Sequence, residues 1–120
     1  MSLLSAREKA LEVAQRLVVM GPVEVKRFFG GAGLALDDIQ FAFVMKGALY
    51  LRVDNQTRPK FEAMDALPFT YAGQSQTVRV ASYYTLPDEI IDDPDEFLNW
   101  VKAAYRAAVD AKRATRRRSK

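Results

Sequence analysis

The chain contains neither cysteine nor histidine among its 120 residues. The first absence rules out a disulfide framework, a thiolate nucleophile and a zinc–thiolate site. The second removes the side chain most often used to move protons near neutral pH. Most familiar enzyme mechanisms are thereby excluded, and any remaining chemistry would fall to carboxylates, lysine or tyrosine. Long apolar runs are missing as well. No stretch approaches the roughly 20 residues needed to cross a bilayer, and Arg7, Glu8 and Lys9 stand where a secretory signal would carry its apolar core. These absences lead to the expectation of a cytosolic protein without membrane contact, cofactor or metal.

Charge is divided unevenly along the chain, and its end carries only one sign. Residues 112–120 read KRATRRRSK, with six basic side chains, and the first 111 residues hold twelve basic and fifteen acidic ones. The body is mildly acidic and the net charge of +3 comes from the last nine positions. The organisation expected is one domain over residues 1–111, large enough for one core at 49% hydrophobic content, followed by a basic, disordered tail over 112–120. Charge-driven contact with nucleic acid would fall to Lys112, Arg113, Arg116, Arg117, Arg118 and Lys120 in that tail. With so few phosphate contacts it would be weak, nonspecific and steeply salt-dependent, with a log–log slope near about −5. No recognition helix, zinc module or aromatic RNA-binding motif accompanies it.

Along the chain, Ser5 with Glu8 three residues on makes a capping box. Leu11, Ala14, Leu17 and Val18 then recur at helical spacing until Gly21-Pro22, so a helix is expected over 5–20. Val23 to Phe29 is β-branched and aromatic, and the GGAG segment (Gly30, Gly31, Gly33) is expected to carry it, bent or bulged, into Leu34–Leu36 as one strand. Asp37-Asp38 turns the chain. Ile39, Phe41, Phe43 and Met45 then alternate as one apolar face, Lys46-Gly47 closes a hairpin, and Leu49, Leu51 and Val53 alternate in the return strand. Asn55 or Thr57 would cap a short helix with Pro59 in its first turn. Phe69–Ala72 and Val78–Leu86 form two more strands around Gly73–Gln76, and Asp93, Pro94 and Glu96 open a long terminal helix. The fold class is α+β: a two-layer, curled, mainly antiparallel five-stranded sheet with helices packed on it, in the order α-β-β-β-α-β-β-α.

The segments RFFGGAGL (Arg27 to Leu34), FAFVMKGALYLRVD (Phe41 to Asp54), LPFTY (Leu67 to Tyr71), SYYTLPDEIIDDPDEF (Ser82 to Phe97) and NWVKAAYRAA (Asn99 to Ala108) follow one another in an order and spacing that resembles the N-terminal domain of the TfoX/Sxy competence-regulator family. Phe29 stands where that family commonly has methionine, Ala35 where it has an aromatic residue, and Asp65 where a glycine is usual. The family's full-length regulators carry a second, helical domain after this one. The resemblance implies a regulatory or adaptor role in transcription of DNA-uptake genes in a bacterial cytosol, without catalysis.

Two candidate sites have structural alternatives. The GGAG turn lacks the Lys-Ser/Thr and following helix of a phosphate loop, so it is expected to be a bend. Arg27 beside it would bind an anion or, more commonly, pair with an acidic neighbour such as Asp54. Tyr83 and Tyr84 are adjacent strand residues and cannot both face the core. With Phe28 and Trp100 they are expected to form a contact patch for a protein partner, or to pack under the terminal helix. The interaction surface expected is Arg27, Phe28, Gly30, Gly31, Gly33, Tyr83, Tyr84 and Trp100. Its partner would be a protein, and self-association is allowed.

Overall fold

Local signals start each helix. In the computed structural model, which describes residues 5–118, Ser5 caps helix α1 (Ala6–Arg16). The Glu8 amide donates to the Ser5 hydroxyl and the Ser5 amide to the Glu8 carboxylate, each at 3.1 Å. The helix ends earlier than its apolar spacing suggests. Val18–Met20 tighten into a 3-10 turn, and Gly21 leaves it at φ +132° ahead of Pro22, which cannot continue the spiral. The short helix α2 (Arg58–Ala63) is capped by neither Asn55 nor Thr57. Asp54 does that work: its Oδ1 accepts from the amides of Gln56 and Thr57 at 2.9 and 2.8 Å and from the Thr57 hydroxyl at 3.2 Å. Asp65 then takes φ +61°, the left-handed conformation that glycine adopts most readily.

A one-turn helix α3 (Asp88–Ile91), not foreseen from the residues, precedes α4 (Pro94–Arg118). Asp93 Oδ1 accepts from the amides of Asp95 and Glu96, each at 3.2 Å, as the capping pattern predicts. The helix continues past Ala111 to Arg118. Lys112, Arg113 and Arg116 are exposed on it.

The sheet has six strands, not five: β1 (Glu24–Phe28), β2 (Gly31–Leu36), β3 (Ile39–Met45), β4 (Ala48–Arg52), β5 (Pro68–Ala72) and β6 (Thr77–Thr85), all antiparallel in the order β1-β2-β3-β4-β6-β5. The extra strand arises because the expected single bent strand breaks. Phe29 swings to φ +47°, the Gly30 amide donates back to the Phe28 carbonyl at 3.1 Å, and Gly31 returns alongside Phe28.

A bulge makes the second departure. Leu34 pairs with Ala42, but Ala35 pairs with Gln40, so Phe41 is an extra residue in β3. Alternation therefore inverts across it. Phe41 joins Ala42 and Val44 in the core beneath the helices, whereas Phe43 turns to the opposite face. The expected single stripe Ile39, Phe41, Phe43, Met45 is thus divided between two faces.

Helices α1 and α4 cover one face of the sheet. Phe41, Phe61, Phe97, Tyr84, Leu17, Leu34, Leu51 and Val101 are fully buried there, each contributing on the order of 2 kcal/mol by its removal from water. Ala104, Ala107 and Ala108 let α4 lie close to the strands, and Phe97, Val101, Ala104 and Ala108 form the buried seam that helical spacing predicts. Arg16 ties α1 to α4, its guanidinium 4.2 Å over the Phe97 ring and donating to the Ile91 carbonyl at 2.6 Å.

Two glycines in one turn make a contrast. A methyl group on Gly31 would run into the Val44 carbonyl, a backbone atom that cannot step aside, whereas one on Gly30 would meet open space. Gly31→Ala is expected to cost about 1–3 kcal/mol and Gly30→Ala less than about 0.5 kcal/mol, read from urea unfolding of the two variants. Partial burial opposes ionisation of Asp54, but the hydrogen bonds from Thr57 and Gln56 outweigh it and hold the carboxyl below its ordinary range. A depressed folded-state pKa stabilises above the unfolded value and is lost as pH falls through the folded one. Asp54→Asn is therefore expected to cost about 1 kcal/mol at neutral pH. The gap to the parent protein should narrow as pH is taken below about 4, followed by thermal unfolding at stepped pH.

Candidate functional site: an aromatic groove

On the helix-free face of the sheet β2 carries only Gly31, Gly33 and Ala35, and the Gln40 side chain of β3 lies over Gly33. Gly31 stands directly opposite Phe28 of β1, and Gly33 opposite Phe43 of β3. Rings can therefore lie over the strand from both sides, and the sheet curls around them. In a flat six-stranded sheet the outer strands would be about 24 Å apart. Here the Phe43 ring touches aromatic rings from both edges, Phe28 of β1 at 4.7 Å and Phe69 of β5 at 5.0 Å between centroids. It also stacks on Tyr50 at 4.9 Å with 18° between planes and meets Tyr83 at 4.8 Å. Four offset, tilted or edge contacts on one ring are each worth roughly 0.5–1.5 kcal/mol beyond burial.

The curl leaves a groove of about 460 Å³. Phe43 and Met45 form its floor, Phe28 and Phe29 one wall, and Phe69, Tyr71, Val80 and Tyr83 the other. Among the described residues its lining carries no charged side chain. A second irregularity builds the far wall: Pro68 pairs with Tyr84 but Phe69 with Val80, and this shift lets both Val80 and Tyr83 face inward. The Arg52 guanidinium lies 5.5 Å over the Tyr83 ring, and its Nε is buried without a hydrogen-bond partner. Such a cavity suits apolar and aromatic groups of a ligand or partner.

Phe29 is the least expected member. It is 83% exposed and holds φ +47°, a conformation that costs a residue with a Cβ about 1–2 kcal/mol. Among the described residues its one ring contact is edge-on to Phe28 at 4.8 Å. A large apolar side chain is thus held out over the groove's rim at a backbone cost.

The residues singled out from the sequence separate. Phe28 and Tyr83 share the groove; Gly30 and Gly31 form the turn next to Phe28 and Phe29, and Gly33 lies beneath the Gln40 side chain. Tyr84 does not belong to an interaction surface. It is wholly buried under the helices, with its hydroxyl donating to Glu62 at 2.7 Å and accepting from Arg79 at 3.1 Å. One tyrosine of the pair does point away from the core, as strand alternation requires. Trp100 lies on the other side of the sheet, packed edge-on against Phe61 at 4.9 Å, so Phe28, Tyr83 and Trp100 form no common patch.

Arg27 is exposed on the helix side of β1, beside Arg7 and Val25, and does not pair with Asp54, whose carboxylate is engaged by its own turn. Lys112, Arg113 and Arg116 sit in the last turns of α4, where exposed carbonyls favour positive charge. Arg117 and Arg118 continue the same helix, and Lys120 lies outside the described residues. Phe29, Phe43, Met45, Phe69, Tyr71 and Val80 were missed as site residues. The alternation of Phe69 and Tyr71 was a usable signal, whereas the register shifts that turn Phe43 and Val80 to this face left none.

Fold and groove define an α+β domain that presents an aromatic concavity. The model of the TfoX N-terminal domain matches residues 15–108, and the chain belongs to that family. It is a regulatory family, not known as enzymatic. Comparison with individual curated proteins found no match. None of the helices among the described residues is long and apolar enough to cross a membrane.

If Phe29 is held against its backbone preference, relieving it should stabilise the fold. Phe29→Gly is expected to raise the unfolding free energy by about 0.5–1 kcal/mol in urea titrations. A loss would mean that its contact with Phe28 outweighs the backbone cost.

Proposed function

We propose that this domain is a non-catalytic, competence-regulator-like adaptor that acts by protein–protein contact, receiving apolar side chains of a partner in the aromatic groove. Family membership supports the regulatory role. The observation that carries the mode of action is Phe29, a large apolar ring held in solvent at φ +47° over an uncharged cavity. Folding alone would favour a small or polar residue there, and exposed aromatic clusters are where partner proteins gain most of their binding energy. The compartment is the cytosol and the readout is transcription of DNA-uptake genes.

Exposure also makes the test clean. Phe29 and Tyr71, 83% and 50% exposed, can be replaced together by serine with little effect on the core. In the organism that encodes the chain, the Phe29→Ser/Tyr71→Ser protein at parental abundance is expected to lower transcripts of DNA-uptake genes roughly tenfold, equivalent to about 1.4 kcal/mol of lost contact energy. Transcript levels equal to those of the parent would refute the groove as the contact surface.

A further inference from the structure

The two edges of the sheet are built in opposite ways. Strand β1 presents Glu24, Lys26 and Arg27, with Lys26 bridging to Asp38 at 3.3 Å and Glu24 at 4.0 Å. Charges of this kind keep an edge from pairing with another chain. Strand β5 has no such protection. It lies inside the longest uncharged run of the sequence, residues 66–78; Tyr71 is 50% exposed on it, and Leu67, just before it, is 67% exposed.

We propose that β5 is a self-pairing edge, and that two copies of this chain join their sheets through antiparallel β5–β5 contact about a twofold axis at Thr70. The occupant is set by charge and by symmetry. The bodies of two copies, each with fifteen acidic and twelve basic side chains over residues 1–111, repel weakly where they approach, and this edge lets them meet without charge. The hydrogen-bond pattern is also self-complementary. The Gly73 amide donates to the Gln76 carbonyl at 2.8 Å, which directs the Tyr71 and Phe69 amides toward β6 and leaves those of Thr70 and Ala72 facing outward.

Pairing about Thr70 joins each Thr70 amide to the other copy's Thr70 carbonyl. It also joins each Ala72 amide to the carbonyl of Pro68, a residue with no amide hydrogen to offer. Phe69 of one copy then stands across from Tyr71 of the other on the groove face, twice over, and such aromatic cross-strand pairs are favourable. The two grooves become neighbours on one continuous sheet. A five-residue strand pair is at the small end of specific interfaces, so the dimer is a weak, micromolar one. This pairing is independent of whether the groove receives a partner.

Sedimentation equilibrium of the full chain over the micromolar to low-millimolar range tests it. The parent protein is expected to pass from 13.5 kDa toward twice that mass as concentration rises. Thr70→Pro removes only an outward amide and leaves the β6 ladder intact; it should weaken dimerisation at least tenfold while circular dichroism stays unchanged. Thr70→Lys and Thr70→Glu should each be monomeric, and an equimolar mixture of the two should restore the dimer, because the opposed positions then carry opposite charges. A parent protein that stays monomeric throughout would overturn the proposal. So would a dimer that survives both Thr70→Pro and Thr70→Lys, or a Lys/Glu mixture that remains monomeric.

Discussion

A ring can lie across a strand only where that strand has no side chain in the way. Much of this molecule follows from that constraint. Gly31, Gly33 and Ala35 strip one face of β2 of bulk, and Phe28 and Phe43, their partners and neighbours across the ladder, close over the gap. Phe43 then gathers rings from four other strands, and a six-stranded sheet that would otherwise be nearly 24 Å wide curls into a groove. The glycines act through the space they leave, and Gly31 is further held by the backbone carbonyl of Val44 directly over it.

The β3 bulge lets a single strand serve two layers. Without an extra residue, Phe41 and Phe43 would lie on one face, and either the core or the groove would lose its central ring. With it, Phe41 meets Tyr105 of α4 edge-on at 5.9 Å while Phe43 sits at the centre of the opposite face. Register shifts next to functional surfaces commonly re-aim side chains in this way. The shift in β5–β6 does the same for Val80 and Tyr83. Both faces of the sheet are therefore apolar, but only one is covered by helices, and the uncovered one holds the strained Phe29 at its rim.

Much of the architecture was legible in the residues because its signals are local. Ser5 with Glu8, Asp93 with Pro94, and the Lys46-Gly47 turn each satisfy their backbone partners within a few positions, and the structure uses all three as expected. The opposed orientations of Tyr83 and Tyr84 follow from strand alternation alone. The order of motifs was enough to point to the family. Less was legible at the site: of the groove's lining, only Phe28 and Tyr83 stood among the residues expected to form a surface. Phe43 looked like core because its alternation with Phe41 was intact on paper, and Trp100 looked like a neighbour of Tyr83 because nothing in the sequence says which side of a sheet a helix will take.

The sequence by itself determined where α1, α4 and the turn between β3 and β4 begin, and that one tyrosine of the adjacent pair must leave the core. Those outcomes depend on dihedral preferences and hydrogen bonds within a few residues. Only the tertiary structure decided that the strand before GGAG would split into two, that Phe41 would be inserted as an unpaired residue, and that Asp54 rather than Thr57 would cap α2. It also decided that the basic end would extend a helix. The split strand and the inserted Phe41 depend on pairing between strands, and a one-residue change of register is enough to exchange the two faces of a strand.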